Sequence, residues 1–171
     1  MTDQPSPLLR AFRFRVQLRL APQAVSGAPA PAGAPAGAAL GDGGFQECSG
    51  LEVDMDVQEY LEGGRNDGVI RRVGRGKYSN LVLRRGMFYG DGRVNRELWT
   101  WLQSVISGER PVRRYNGSVE VMSVRDEVVA VWTFDRGLPA KIKGPELNAK
   151  TGEIAIEELT IAHEGLRLVD P

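Results

Sequence analysis

Residues 51–60 read Leu-Glu-Val-Asp-Met-Asp-Val-Gln-Glu-Tyr. Leu51, Val53, Met55 and Val57 alternate with Glu52, Asp54, Asp56 and Gln58. A period of two puts the apolar set on one face of a strand and the acidic set on the other. Working towards the N-terminus, Phe12–Leu20 repeats the pattern with the opposite charge: Phe12, Phe14, Val16, Leu18 and Leu20 alternate with Arg13, Arg15, Gln17 and Arg19. If these two strands are neighbours, cross-strand Arg–Asp and Arg–Glu pairs form, each contributing roughly 0.2–1 kcal/mol.

Residues 21–44 separate the two strands and differ in kind. They are mostly Ala, Pro and Gly, without an aromatic residue, and Pro29, Pro31 and Pro35 block helix and ladder bonding alike. Too little apolar area is present to offset the entropy of ordering. The expectation is a disordered or partly polyproline insertion, not a domain linker, because the single strand before it cannot fold alone. It lies between the first two strands of one sheet in a single domain spanning residues 1–171.

Towards the C-terminus, Glu62–Lys77 is rich in glycine and arginine, with Val69, Ile70 and Val73 as its apolar residues. It reads as a long, exposed, mobile loop, and such loops in compact domains usually carry function. Ser79–Arg85 is a strand. Asn95–Ser107 is a helix whose apolar face holds Leu98, Trp99, Trp101, Leu102, Val105 and Ile106, with Gly108 placed as its C′ residue. Gly117–Arg125 and Glu127–Asp135 form a hairpin with a turn near Asp126; Trp132 and Phe134 share a face, with Val121 opposite. Leu138–Lys143 and Glu153–His163 are further strands. In the last, the apolar phase shifts between Ile156 and Leu159, which predicts a β-bulge at Glu157-Glu158. About seven strands and one helix define a mainly β fold: two packed antiparallel sheets forming a β-sandwich or small barrel with one flanking α-helix.

The composition narrows the function classes. Lys plus Arg number 22 and Asp plus Glu number 22. A duplex-binding protein carries a basic excess that releases counterions from phosphates. Neutrality instead weakens self-repulsion, which suits a protein whose copies touch. Residues Met1–Arg10 lack the apolar core of a signal peptide. No stretch approaches the roughly 20 apolar residues that cross a bilayer. The chain reads as cytosolic when synthesised.

Chemistry-bearing patterns are sparse. Cys48 is the single cysteine and His163 the single histidine. One histidine is a poor start for a metal site or a general base, so it reads as structural. Cys48 reads as a small apolar residue. Glu52, Asp54 and Asp56 share a strand face and could hold a hard cation, but a polar face that pairs with arginines explains them as well. Gly74-Arg75-Gly76-Lys77-Tyr78-Ser79 lacks the first glycine of a phosphate loop, where Arg71 stands, and carries Tyr78 where Ser or Thr is needed. Trp99, Trp101, Trp132 and Phe134 sit on core-like faces rather than on a base-stacking platform. No cofactor and no metal is implied. Arg71, Arg72, Arg75 and Lys77 make one basic cluster, either a solvated loop or a surface that docks on an acidic patch of another copy.

The order of motifs carries a resemblance. A strand reading Phe-Arg-Phe-Arg-Val opens the chain. Then come Phe45-Gln46-Glu47-Cys48-Ser49-Gly50-Leu51, the acidic strand ending in Glu59-Tyr60, and the loop Glu62-Gly63-Gly64-Arg65-Asn66. Gly74–Gly86, the helix with Leu98–Leu102, Gly144–Ala149, Glu153–Leu159 and His163–Leu166 follow. Together they resemble the tail tube proteins of contractile phages and of extracellular and cytoplasmic contractile injection systems, from Phe12 to Leu166 apart from the insertion. The resemblance implies two packed β-sheets with a flanking helix, shared with the tube protein of type VI secretion. It also implies hexameric rings, stacked into an inner tube within a contractile sheath and attached to baseplate and hub proteins. A tube of this kind has a lumen that could hold cargo, and it acts without a catalytic cycle. The loop at Glu62–Lys77 would reach the adjacent ring. The inter-ring or inter-subunit contacts would then involve Glu52, Asp54, Asp56, Glu62, Arg65, Arg71, Arg72, Arg75 and Lys77. The long insertion departs from the family pattern and makes a tube-initiator or baseplate-proximal ring the alternative. A split-barrel flavin- or ligand-binding protein is the alternative of another class. No specific nucleic-acid sequence and no membrane-spanning segment is implied; the resemblance allows release of the assembled particle from the cell.

Overall fold

The structure is a computed structural model that describes residues 8–22, 39–40, 44–61, 63–64, 68–150 and 152–171. In chain order the strands are β1 (Phe14–Leu20), β2 (Phe45–Ser49), β3 (Val53–Tyr60), β4 (Ile70–Tyr78), β5 (Leu81–Gly86), β6 (Tyr89–Gly90) and β7 (Arg93–Val94). The helix α1 (Glu97–Ile106) follows, then β8 (Tyr115–Met122), β9 (Val128–Lys143), β10 (Ile156–Ala162) and β11 (Gly165–Val169). Seven strands form one antiparallel sheet in the order β1-β8-β9-β10-β5-β2, with β11 also paired to β9. Among the described residues the sheet is open; it does not close on itself.

β9 is the spine. Its first half pairs with β8 on one side and β11 on the other; its second half pairs with β10. The ladder to β8 shifts between Tyr115 and Gly117. There Arg136 takes a positive φ of 53° and its N–H donates to Asn116 Oδ1 at 2.9 Å. Such a bulge bends a strand. The apolar faces of the two halves meet in one core: Val16, Leu18, Val119, Phe134 and Leu166 from one, Phe45, Leu81, Leu83, Leu159 and Ile161 from the other. Gly117 exists for this packing, since a Cβ there would stand 2.3 Å from the Phe134 ring.

Helix α1 closes the open side of the core. Leu98 and Trp101 are buried. Trp101 lies edge-on to Tyr115, with ring centroids 4.7 Å apart, and its Nε1–H donates to Arg113 O at 2.9 Å. Asn95 Oδ1 accepts from Glu97 N–H at 3.0 Å, which satisfies one free amide of the first turn. Gly108, at φ 81°, ends the helix as expected. No helix among the described residues is long and apolar enough to cross a membrane.

Several expectations need correction. β1 is not a neighbour of β3: it pairs with β8, so Arg15 bonds Glu120 at 2.6 Å rather than an acid of residues 52–56. The first hairpin strand begins earlier and ends earlier than expected, at Tyr115–Met122, and β9 runs on without a break through Leu138–Lys143. Within the hairpin, Val121 faces Ala130 while Val119 faces Trp132. The turn itself falls at Asp126, with φ 64°. Phe45–Ser49, read as a motif only, is a strand. Much of the expected loop at 62–77 is strand β4. Residues 23–38 and 41–43 of the insertion lie outside the described residues.

The predicted bulge at Glu157-Glu158 is absent. The ladder runs regularly through Glu157↔Arg85, Glu158↔Arg84 and Leu159↔Leu83, and the register shift falls instead between Thr160 and Ile161. Glu157 occupies a core position. Its Oε1 accepts from Arg85 Nε at 2.7 Å, both side chains are 1% exposed, and its Oε2 accepts from Trp99 Nε1 at 2.9 Å. A buried acid looks like a break in the apolar pattern because its compensation comes from another strand.

Candidate interaction ribbon

β3 and β4 form a two-stranded ribbon of their own, hydrogen-bonded to no other strand among the described residues. The register runs from Val53↔Tyr78 to Tyr60↔Ile70. It shifts between Met55 and Val57, so Gly74 and Arg75 are the extra residues opposite Asp56. Gly74 is required there: a Cβ would fall 2.4 Å from the Asp56 carbonyl oxygen. At the foot, Gly50 (φ 85°) passes so close to Asn80 that a Cβ would stand 2.1 Å from its carbonyl oxygen. The Tyr78 ring lies 5.7 Å from His163, which lies 5.7 Å from Phe134. His163 therefore works as a packing group linking ribbon to core; both its ring nitrogens are buried without a hydrogen-bond partner among the described residues.

The two faces of the ribbon differ in chemistry. One carries Asp54, Asp56 and Gln58 opposite Lys77 and Arg72, with Tyr60 beside them. Lys77 Nζ bonds Asp56 Oδ1 at 2.7 Å, and this carboxylate raises the Lys77 pKa above its ordinary value. The Arg72 guanidinium lies 4.2 Å above the Tyr60 ring. Asp54 Oδ1 accepts from the Met55 amide at 2.8 Å, and Glu52 accepts from the Ser79 hydroxyl at 3.1 Å. The other face carries Val53, Met55, Val57, Val73 and Tyr78, with Glu59 and Arg71 at its end, 3.9 Å apart. Apart from Tyr78, which packs against His163, the face is open among the described residues: Val53 and Val57 are each 58% exposed and Val73 is 78% exposed.

Most of the site residues expected from the sequence lie on or beside this ribbon. The acidic set and the basic cluster were expected to meet between copies. In the structure Asp54 faces Lys77, Glu59 faces Arg71, and Asp56 holds Lys77, all within one ribbon. Arg75 stands at the bulge, while Glu62 and Arg65 lie outside the described residues. What sequence reasoning missed is the importance of the apolar face. Its alternation was plain, but an alternating strand normally turns that face to its own core. The partner strand was hidden because Ile70–Tyr78 carries four basic residues and two glycines.

A profile of the T4-like virus tail tube protein gp19 family matches residues 10–167. The chain belongs to that tail tube family. Solved structures share its fold. A chain in the anti-feeding prophage (AFP) baseplate is 22% identical, with 98% of each chain covered and a TM-score of 0.73. One in the sheath–tube complex of the extracellular contractile injection system PVC is 19% identical, covering 98% of this tail tube protein and 95% of that chain, at 0.73. One in the AFP tube-terminating cap is 17% identical, covering 100% and 97%, at 0.75. No curated protein sequence matches. The mainly β architecture expected from the sequence is thus that of tail tube proteins.

Proposed function

We propose that this tail tube protein builds the inner tube of a contractile injection particle or phage tail, as six-membered rings of identical copies stacked along an axis. The observation that carries the reading is the ribbon. An isolated two-stranded hairpin is marginally stable in water, and an uncovered apolar face gains free energy only when another surface meets it. A second copy of the chain supplies that surface. The free edges of the open sheet point the same way: unpaired strand edges are hazards in a monomer and are completed when neighbouring copies add strands. Head-to-tail contacts close into a ring when the rotation closes and extend into a filament along an axis.

The structural neighbours support the partners. They come from a sheath–tube complex, a baseplate and a terminating cap. By likeness, this protein would work inside a sheath, attached to a baseplate, within a phage tail or an extracellular injection particle. Such a subunit needs no catalytic cycle: it serves as a rigid conduit, and the sheath supplies the motion. The test is to make Val57→Asp with Val73→Asp and follow assembly by light scattering and electron microscopy. The double variant stays monomeric while the parent assembles. Equal assembly of both would remove the ribbon from the interface.

A further inference from the structure

The outer edge of β1 carries a guard. Met122 N–H donates to Arg13 O at 2.9 Å, so odd-numbered β1 residues turn their main-chain groups towards β8. Even-numbered ones turn theirs away. On that far side Leu40 N–H donates to Leu18 O at 2.9 Å, and Arg19 bridges Ala39 in antiparallel register. The short return leg at Ala39-Leu40 thus occupies the C-terminal half of the edge. Leu40 fastens it: the side chain is buried, belongs to the core, and lines an open cleft of about 310 Å³ with Trp101 and Tyr115. Around Phe14 and Val16 the outward N–H and C=O groups face no strand among the described residues.

We propose that Ala39-Leu40 is an intramolecular cap on the β1 edge, and that a strand of a second copy displaces it when subunits join. This rests on the tube reading above and adds its regulation. A covered stretch of edge cannot template strand addition, so the cap denies an incoming strand the full length of β1 until it leaves. The contact is suited to release. Among the described residues it consists of the Arg19–Ala39 bridge, the Leu40 N–H bond to Leu18 O and the Leu40 side chain, which lies at the margin of the core beside a cleft. The occupant to be admitted is a strand, because the groups under the cap are main-chain donors and acceptors. A second copy is the source of strands with matching free edges.

A reversible lock tests this. In a Cys48→Ala background, Arg19→Cys and Ala39→Cys place a disulfide across a directly opposed pair. The oxidised protein is expected to remain monomeric, and thiol treatment is expected to restore assembly to the rate of the Cys48→Ala parent. Assembly of the oxidised form at the parent rate would overturn the proposal. Leu40→Ala, which withdraws the plug, is expected to lower the concentration for half-assembly by about tenfold, the factor that follows if the capped state holds about nine-tenths of the chains. If Leu40→Ala keeps native circular dichroism yet assembles no better than the parent, Leu40 is an ordinary core residue and the cap is wrong. A parent that never assembles defeats the tube reading itself, and the cap with it.

Discussion

At the scale of single residues, the buried Arg85–Glu157 pair is the main liability of the core. Replacing one member of such a pair leaves the other charged and desolvated, which typically costs 3–5 kcal/mol. Glu157→Ala is expected to lose about that much in urea unfolding, and Arg85→Met with Glu157→Leu to recover most of it. A loss below about 1 kcal/mol for the single change would mean that water reaches the pair. Cys48 makes a second case. Burial raises its thiol from 9.0 to about 11. Two pKa steps make the thiolate about a hundredfold scarcer at pH 8, so alkylation of the native protein is expected to run about a hundredfold slower than in urea. Equal rates would contradict its placement. The sign of the linkage follows: the neutral thiol is favoured by folding, so this stabilisation is present below the unfolded pKa and is lost as pH rises towards about 11. Cys48 and His163 were legible as packing groups because a lone residue of either kind has nothing to work with. Glu157 was not, because a glutamate on a core face is explained by Arg85, 72 residues away in the chain, and by the Trp99 indole, 58 away.

At the scale of elements, the helix and the Phe14–Leu20 strand were legible because each shows its period without help from a partner. The ribbon was half legible. The polar face of β3 showed, but a strand such as β4, with the segment Arg-Arg-Val-Gly-Arg-Gly-Lys, has no apolar period of its own and is held by its partner's register. The consequence for mutagenesis is direct. Arg71 and Arg72, which the resemblance places among the contacts between rings or subunits, are the case in point. In the structure these side chains face Glu59 and Gln58 across the ribbon. Arg71→Glu with Arg72→Glu is therefore expected to loosen the ribbon itself by about 1 kcal/mol, through two exposed cross-strand pairs. Hydrogen exchange of the Val53–Tyr60 and Ile70–Tyr78 amides would quicken in the monomer. Unchanged exchange would show that the charges do not hold the hairpin. In the parent, the same amides are expected to exchange quickly when dilute and to become protected on assembly. A ribbon protected equally in both states would have to be covered within one chain.

At the scale of the whole molecule, the order of motifs placed the fold although each motif alone is weak. That copies of the chain meet was expected from its neutrality and from the resemblance; which face and which edges would meet was not legible. The apolar ribbon face and the strand edges left unpaired among the described residues are what the proposed assembly would cover. Those features appear only once the topology shows which faces and edges lack a partner. The measurement that tests this most directly is sedimentation velocity of the purified protein over a wide concentration range, with electron micrographs of the same samples. The account predicts a concentration-dependent passage from monomer to six-membered rings and then to stacks. A single monomeric boundary at every concentration, with no rings on the grids, would contradict it.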